Sequence, residues 1–315
     1  MAFASLLVIS LFFNTSWIDA APIDEGRVTI ELDGLPVDIH YFHSPPADPS
    51  QPFHSLLFVH GFPTGDAIWV PVMDRLSQKA NVDSYAIDML GFGQSGAPAP
   101  VTFDYSEASL NRVPFKVADG LGIDRFIGVA HDVGGAWFLC PATEPRNLAR
   151  LDGLIVLDTA INVFKLPLEP LPGIKLLGSL MGDLGVPRSV VRELSRFALQ
   201  ADTFQDVFAK FPGIVEEIAA TNSEEAHRLA ISRIIEEETL DPLAFGGVCA
   251  ESIGVLDTLG PLLIWAPPDL ISGLLIFSVE WPSAHRVFVS EAKHFLMLDQ
   301  EEAISTAIAA YLSAR

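Results

Sequence analysis

Phe126-Ile127-Gly128-Val129-Ala130-His131-Asp132-Val133-Gly134-Gly135 decides how this chain is read. An apolar, β-rich run ends abruptly in a charged residue, and two glycines follow. That is the pattern of a nucleophile elbow, a tight strand-to-helix turn that projects one side chain from the end of a sheet. The glycines are required because the strained turn leaves no room for β-carbons on its inner side. The tip residue is Asp132, where this motif more commonly carries serine. A serine elbow makes acyl-enzymes from esters. A carboxylate instead displaces a leaving group at a saturated carbon and becomes an alkyl ester. The alternative reading of Asp132 is a helix-capping aspartate.

Outward from the elbow, β-like runs and helical spacing alternate. Arg27–Leu32 and Pro36–Phe42 flank the turn signal Asp33-Gly34. Ser55–Val59, Asp83–Asp88, Leu154–Asp158, Leu262–Ala266 and Arg286–Val289 read as further strands, several of them continuous apolar runs of buried type. Helices are expected over Trp69–Gln78, Ser106–Leu121 and Glu301–Leu312. Pro141 should shorten or kink the helix after the elbow. The pattern predicts an α/β fold with a mainly parallel central sheet and helices on both faces. Between the strands at Leu154 and Leu262 the spacing is helical, including Arg188–Leu199 and Glu224–Glu238. It reads as an α-helical cap over 161–255, inserted into a core formed by 22–160 and 256–315.

Composition narrows the classes. Half of the 315 residues are hydrophobic and the mean hydropathy is +0.36, enough for a large core. The 19 Lys plus Arg against 40 acids give a formal charge of −21, which opposes nucleic-acid binding. The apolar run Leu6–Phe13 is too short to span a bilayer. Residues 1–21 read either as a removed signal peptide or as an uncleaved start. The first is preferred, and with it a secreted or periplasmic location and no stable membrane insertion of the mature chain. Cys140 and Cys249 read as separate buried small residues rather than a bridge.

The order His60-Gly61-Phe62-Pro63, Asp88…Gly91-Phe92-Gly93-Gln94-Ser95, elbow, helical insertion, acid-bearing loop and late histidine resembles the α/β-hydrolase fold. More narrowly, it is similar to the branch holding epoxide hydrolases and haloalkane or haloacetate dehalogenases. The resemblance covers the chain from about Val28 onward. It implies Asp132 as nucleophile and His294 as the base that activates water against the ester. The acid partner of His294 is Asp269, or alternatively Asp158 at the end of the preceding strand. The backbone N–H groups of Phe62 and Val133 would form an oxyanion hole, worth roughly 3–4 kcal/mol per donor in comparable sites. His60, His131 and Trp137 are candidate pocket residues, and Ser95 reads as a loop residue. Neither a metal nor an organic cofactor is implied. The substrate class is a small apolar organic molecule with water.

The leaving-group machinery departs from each named activity. The four tyrosines, Tyr41, Tyr85, Tyr105 and Tyr311, all lie outside 161–255, where epoxide hydrolases keep proton donors. Val133 stands where haloalkane dehalogenases usually carry tryptophan, and Phe62 where some carry asparagine. The arginine with which haloacetate dehalogenases follow the elbow is missing. In the insertion, Asn222 and His227 are candidate donors to an oxygen, against a default reading as solvated helix-face residues. His131 before Asp132 ranks epoxide hydrolysis first and hydrolytic dehalogenation second. A catalytically silent ligand-binding homologue is the reading from another class.

Overall fold

Among the described residues, eight strands form one sheet in the order β1-β2-β4-β3-β5-β6-β7-β8. They are β1 (Asp24–Leu32), β2 (Leu35–Ser44), β3 (His54–Val59), β4 (Val82–Ile87), β5 (Phe126–His131), β6 (Leu151–Leu157), β7 (Leu262–Trp265) and β8 (His285–Phe288). β1 pairs antiparallel with β2 and β2 antiparallel with β4, whereas β4, β3, β5, β6, β7 and β8 pair in parallel. The two-residue turn Asp33-Gly34 joins β1 to β2 with φ of 54° and 80°, the positive angles that a tight hairpin demands. The computed structural model describes residues 22–159, 178–203, 205–240, 253–266 and 281–315. The expected signal segment, Cys249 and Asp269 lie outside the described residues.

The period-two alternation of the central strands sorts their side chains into two cores. Leu57, Val59, Phe126, Ala130, Leu154 and Val156 face one side, and Leu56, Phe58, Ile127, Val129, Ile155 and Leu157 face the other. With both faces apolar, these strands need cover on both sides. α3 (Val113–Gly120) and α4 (Val133–Ala142) cover the first face. α1 (Val70–Ser77) and α11 (Glu301–Ser313) cover the second. Burying each large aliphatic or aromatic side chain contributes roughly 1.5–3 kcal/mol, so the sheet core dominates the stability of the chain.

Prolines set several helix boundaries differently from the periodicity alone. The helix expected over Trp69–Gln78 is a 3-10 turn, Asp66–Trp69, followed by α1 with Pro71 in its first turn. The helix expected over Ser106–Leu121 is divided into α2 (Glu107–Leu110) and α3, with Pro114 in the first turn of α3. A proline there lacks only an N–H that would be unpaired anyway, so the chain restarts its helix at that point. α4 ends one residue after Pro141 and is followed by α5 (Pro145–Leu148). Between β6 and β7 lie α6 (Arg188–Ala201), α7 (Val207–Lys210), α8 (Pro212–Asn222) and α9 (Glu225–Leu240). α10 (Leu296–Asp299) precedes α11. No helix among the described residues is long and apolar enough to cross a membrane. Cys140 is disulfide-bonded, which corrects the expectation of two separate thiols.

The first turn of α4 passes so close to the end of β3 that a Cβ on Gly134 would overlap the carbonyl oxygen of His60. Gly134→Ala should therefore cost about 1–3 kcal/mol, because backbone rather than a flexible side chain would have to move. Gly213→Ala in α8, where a Cβ meets nothing within 4 Å, should leave the urea midpoint unchanged or slightly raised. Equal midpoints for the two variants would contradict this packing argument.

Candidate active site

β5 is buried along its whole length and delivers Asp132 to the turn before α4. Asp132 takes φ 52° and ψ −133°, a conformation that a non-glycine residue holds only when its surroundings impose it. Its side chain makes no helix-capping hydrogen bond. Instead Oδ2 accepts the backbone N–H of Phe62 at 2.9 Å, and Oδ1 lies 3.4 Å from Nε2 of His294. Asp132 is 7% exposed and His294 8%. Burial opposes the charge on Asp132. His294, His131 and the backbone N–H of Val133 outweigh that penalty and hold the carboxyl below its ordinary range. The carboxylate is therefore ionised at neutral pH.

The Phe62 N–H is aimed by what happens at the other end of its peptide. The Gly61 carbonyl accepts Nδ1–H of His60 at 2.8 Å, the Thr64 hydroxyl at 2.8 Å and the Thr64 N–H at 3.0 Å. In a planar trans peptide the carbonyl and the N–H point in opposite directions, so fixing one aims the other. His60 can donate from Nδ1 because its Nε2 accepts the N–H of Met89 at 2.9 Å. That pair of bonds makes the imidazole neutral, and its complete burial likewise pushes its pKa down. Gly61 must be glycine, since a Cβ there would overlap the Asp132 side chain. The Phe62–Pro63 peptide is cis.

His294 lies in the loop between β8 and α10. Its carbonyl accepts Nε2–H of His131 at 2.9 Å, and the two rings are 4.6 Å apart. Asp158 directly follows β6 with φ 32°, is 1% exposed, and accepts the N–H of Ala266 at 3.2 Å, joining the ends of β6 and β7. Asp269, the other candidate acid, lies outside the described residues. Trp137 is buried against His60 and Phe92, and its indole N–H has no hydrogen-bond partner among the described residues. Ser95 is a loop residue, its hydroxyl bonded to the Asp88 carbonyl.

Asn222 and His227 are buried rather than solvated, which corrects their expected surface role. Asn222, at the end of α8, donates to the Pro63 carbonyl at 2.7 Å. His227 Nε2 lies 3.3 Å from the Ser95 carbonyl. A periodicity argument places them on a polar helix face. That face meets polar backbone in two core loops instead of water.

Sequence reasoning missed a buried charge network beneath these loops. His40 Nδ1 lies 2.9 Å from Asp66 and 3.5 Å from Asp88. Asp88 also accepts the N–H groups of Asp66 and Gln94, each at 2.7 Å, and the Gln94 amide donates to Glu217 of α8 at 2.9 Å. The available signal was Asp88 directly after a buried strand. His40, Asp66 and Asp88 place ligand atoms within 4.8 Å of one another, the spacing of a cation site. Burial opposes protonation of His40, but Asp66 and Asp88 outweigh it and raise its pKa to about 10. The cluster is an internal ion network, with Glu25 3.7 Å from His40 Nε2 at its rim.

Because the folded pKa of His40 lies above its unfolded value of 6.5, its contribution to stability is complete below pH 6.5. That contribution is lost as pH rises through about 10. The urea midpoint of the wild type should fall between pH 7 and pH 10, whereas His40→Gln should start lower and lose most of that slope. Parallel pH profiles for the two proteins would contradict a charged His40.

Residues 56–307 match the model of the Alpha/beta hydrolase family. Haloalkane dehalogenase 2 of Mycobacterium tuberculosis (strain ATCC 25618 / H37Rv) is 23% identical over 300 residues, covering 94% of this chain and 94% of that protein. Among solved structures, the haloalkane dehalogenase DbeA-M1 loop variant from Bradyrhizobium elkanii superposes with a TM-score of 0.70 at 18% identity, covering 92% of this chain and 97% of that one. A thermophilic esterase from Thermogutta terrifontis reaches 0.67, also at 18% identity, covering 92% and 98%. At such identities the superpositions establish the fold and not the reaction.

Proposed function

This chain belongs to the alpha/beta hydrolase family, and we propose that it is a hydrolase whose nucleophile is the carboxylate of Asp132. The observation that carries the reading is an ionised, buried carboxylate held by the Phe62 N–H on one oxygen, with His294 beside the other. Oδ1 attacks a saturated carbon, the bond to the leaving group breaks, and the leaving group departs with the electron pair. The product is an alkyl ester on Asp132. His294 then takes a proton from a water molecule as its oxygen bonds to the ester carbonyl carbon. Negative charge develops on Oδ2, where the Phe62 and Val133 N–H groups receive it. Collapse of the intermediate expels the alkoxide, which takes the proton from His294 as the alcohol leaves. Asp132 is left as a carboxylic acid bearing one oxygen from water, and loss of its proton to solvent, together with the departed halide, restores the carboxylate. Asp269 or Asp158 serves as the acid that supports the imidazolium.

An ordinary esterase reaction is disfavoured, because carboxylate attack on an ester gives an anhydride. Among alkylating substrates we favour haloalkanes over epoxides, reversing the order suggested by His131 alone. A halide leaves as a stable anion. An opening epoxide needs a proton donor; the insertion holds no tyrosine, and Asn222 and His227 are engaged with the Pro63 and Ser95 carbonyls. The haloalkane dehalogenase relative, aligned over nearly its whole length, supports the same order. The helical insertion would act as a cap, closing an apolar pocket over Asp132. Disulfides persist in oxidising compartments, so the bonded Cys140 is in keeping with an exported protein.

His294→Gln should permit alkylation and slow ester hydrolysis about 10²-fold or more. Intact-protein mass after incubation with haloalkanes and epoxides reads out the class. A haloalkane adds an alkyl group minus hydrogen and releases halide, whereas an epoxide adds its whole mass. Adding Asp132→Asn to this variant should abolish either adduct. A folded His294→Gln protein that gains no mass from any of them would overturn the mechanism.

A further inference from the structure

We propose that His131 is a positioning residue for the second half-reaction, holding His294 where it activates water against the Asp132 ester. The inference rests on the assignment of Asp132 and His294 above. His294 belongs to no helix or strand, so its place is set by the polar contacts of its loop. Three consecutive residues are anchored there. The Lys293 N–H donates to Asp299 at 2.9 Å, and the Phe295 N–H donates to the Asp202 carbonyl at 3.1 Å. The His294 carbonyl accepts Nε2–H of His131 at 2.9 Å.

Of these anchors, only His131 comes from the strand that carries the nucleophile. It is the last residue of β5 and is covalently bonded to Asp132. A carbonyl can only accept, so Nε2 of His131 carries the proton of this bond. The His131 ring is held edge-on to Trp69 at 6.3 Å and tilted against Phe295 at 5.9 Å, which limits its freedom to swing. Nucleophile and base are thereby tied through one rigid imidazole, and the 3.4 Å between Asp132 Oδ1 and His294 Nε2 is set from the β5 side.

Since alkylation uses the Asp132 carboxylate and not the base, a misplaced His294 should slow ester hydrolysis by a larger factor than alkylation. Single-turnover kinetics with a 1-haloalkane separate the steps: halide release reports alkylation, and intact mass reports the ester. In His131→Phe, ester decay should slow about ten-fold or more, as expected for a catalytic group displaced by a fraction of an ångström to 1 Å, and by a larger factor than alkylation, which senses His131 only through its effect on the Asp132 charge. His131→Gln, whose amide reaches the position of Nε2, should restore most of the decay rate. His131→Asn, one methylene shorter, should not.

These two amide variants keep the test decisive if the phenylalanine variant does not fold. Equal decay rates in Gln and Asn variants, or alkylation and decay falling together, would overturn the positioning role. A His294→Gln control that forms no ester would instead overturn the underlying mechanism, and this proposal with it.

Discussion

A carboxylate that is almost wholly buried has to be kept ionised, and much of the geometry around Asp132 follows from that requirement. Removing a charge from water is costly unless dipoles and partners replace the lost hydration. Here the replacements are the Phe62 N–H, the Val133 N–H at the start of α4, and the imidazole of His294. For these groups to converge, the ends of β3 and β5 must lie closer than ordinary side chains allow. Gly61 and Gly134 supply that closeness, and the positive φ of Asp132 is the strain that remains. The site is thus made of backbone as much as of side chains.

The same economy extends into the loops. One carbonyl, that of Gly61, collects three donors, and their combined hold sets the direction of the opposite N–H. The helical insertion is joined to these loops by polar contacts. Asn222 reaches the Pro63 carbonyl, Glu217 meets Gln94 above the His40 network, and the Asp202 carbonyl at the end of α6 takes the N–H next to His294. Each buried hydrogen bond contributes roughly 1 kcal/mol net. Leaving one partner unmet costs about 1–3 kcal/mol, so such contacts specify where the insertion sits more than they stabilise it.

Much of the fold is legible in one pass along the chain. Among the described residues the strands are found where apolar runs or alternation place them; burial on both faces gives the central strands a continuous hydrophobic signature, whereas β1 and β2 are only partly buried. The misplaced helix boundaries have a single cause. Periodicity reads straight through Pro71 and Pro114, whereas the backbone uses each proline to start a new helix. The His40–Asp66–Asp88 network was invisible for a different reason. Its members are 26 and 22 residues apart, and a charged residue beside a strand looks like a loop residue until its partner is seen.

By itself, the sequence determined the sheet, the strand-to-helix turn, and the residue types at its tip and in the late histidine loop. These depend on local pattern, which is written in neighbouring positions. Only the tertiary structure decided that the Asp132 carboxylate faces Phe62 and His294 rather than capping α4. It also placed Asn222 and His227 against core loops and tied His131 to the His294 backbone. Those outcomes depend on contacts between residues far apart in the chain, 70 residues for Phe62 with Asp132 and 163 for His131 with His294. No local pattern carries a distance of that kind.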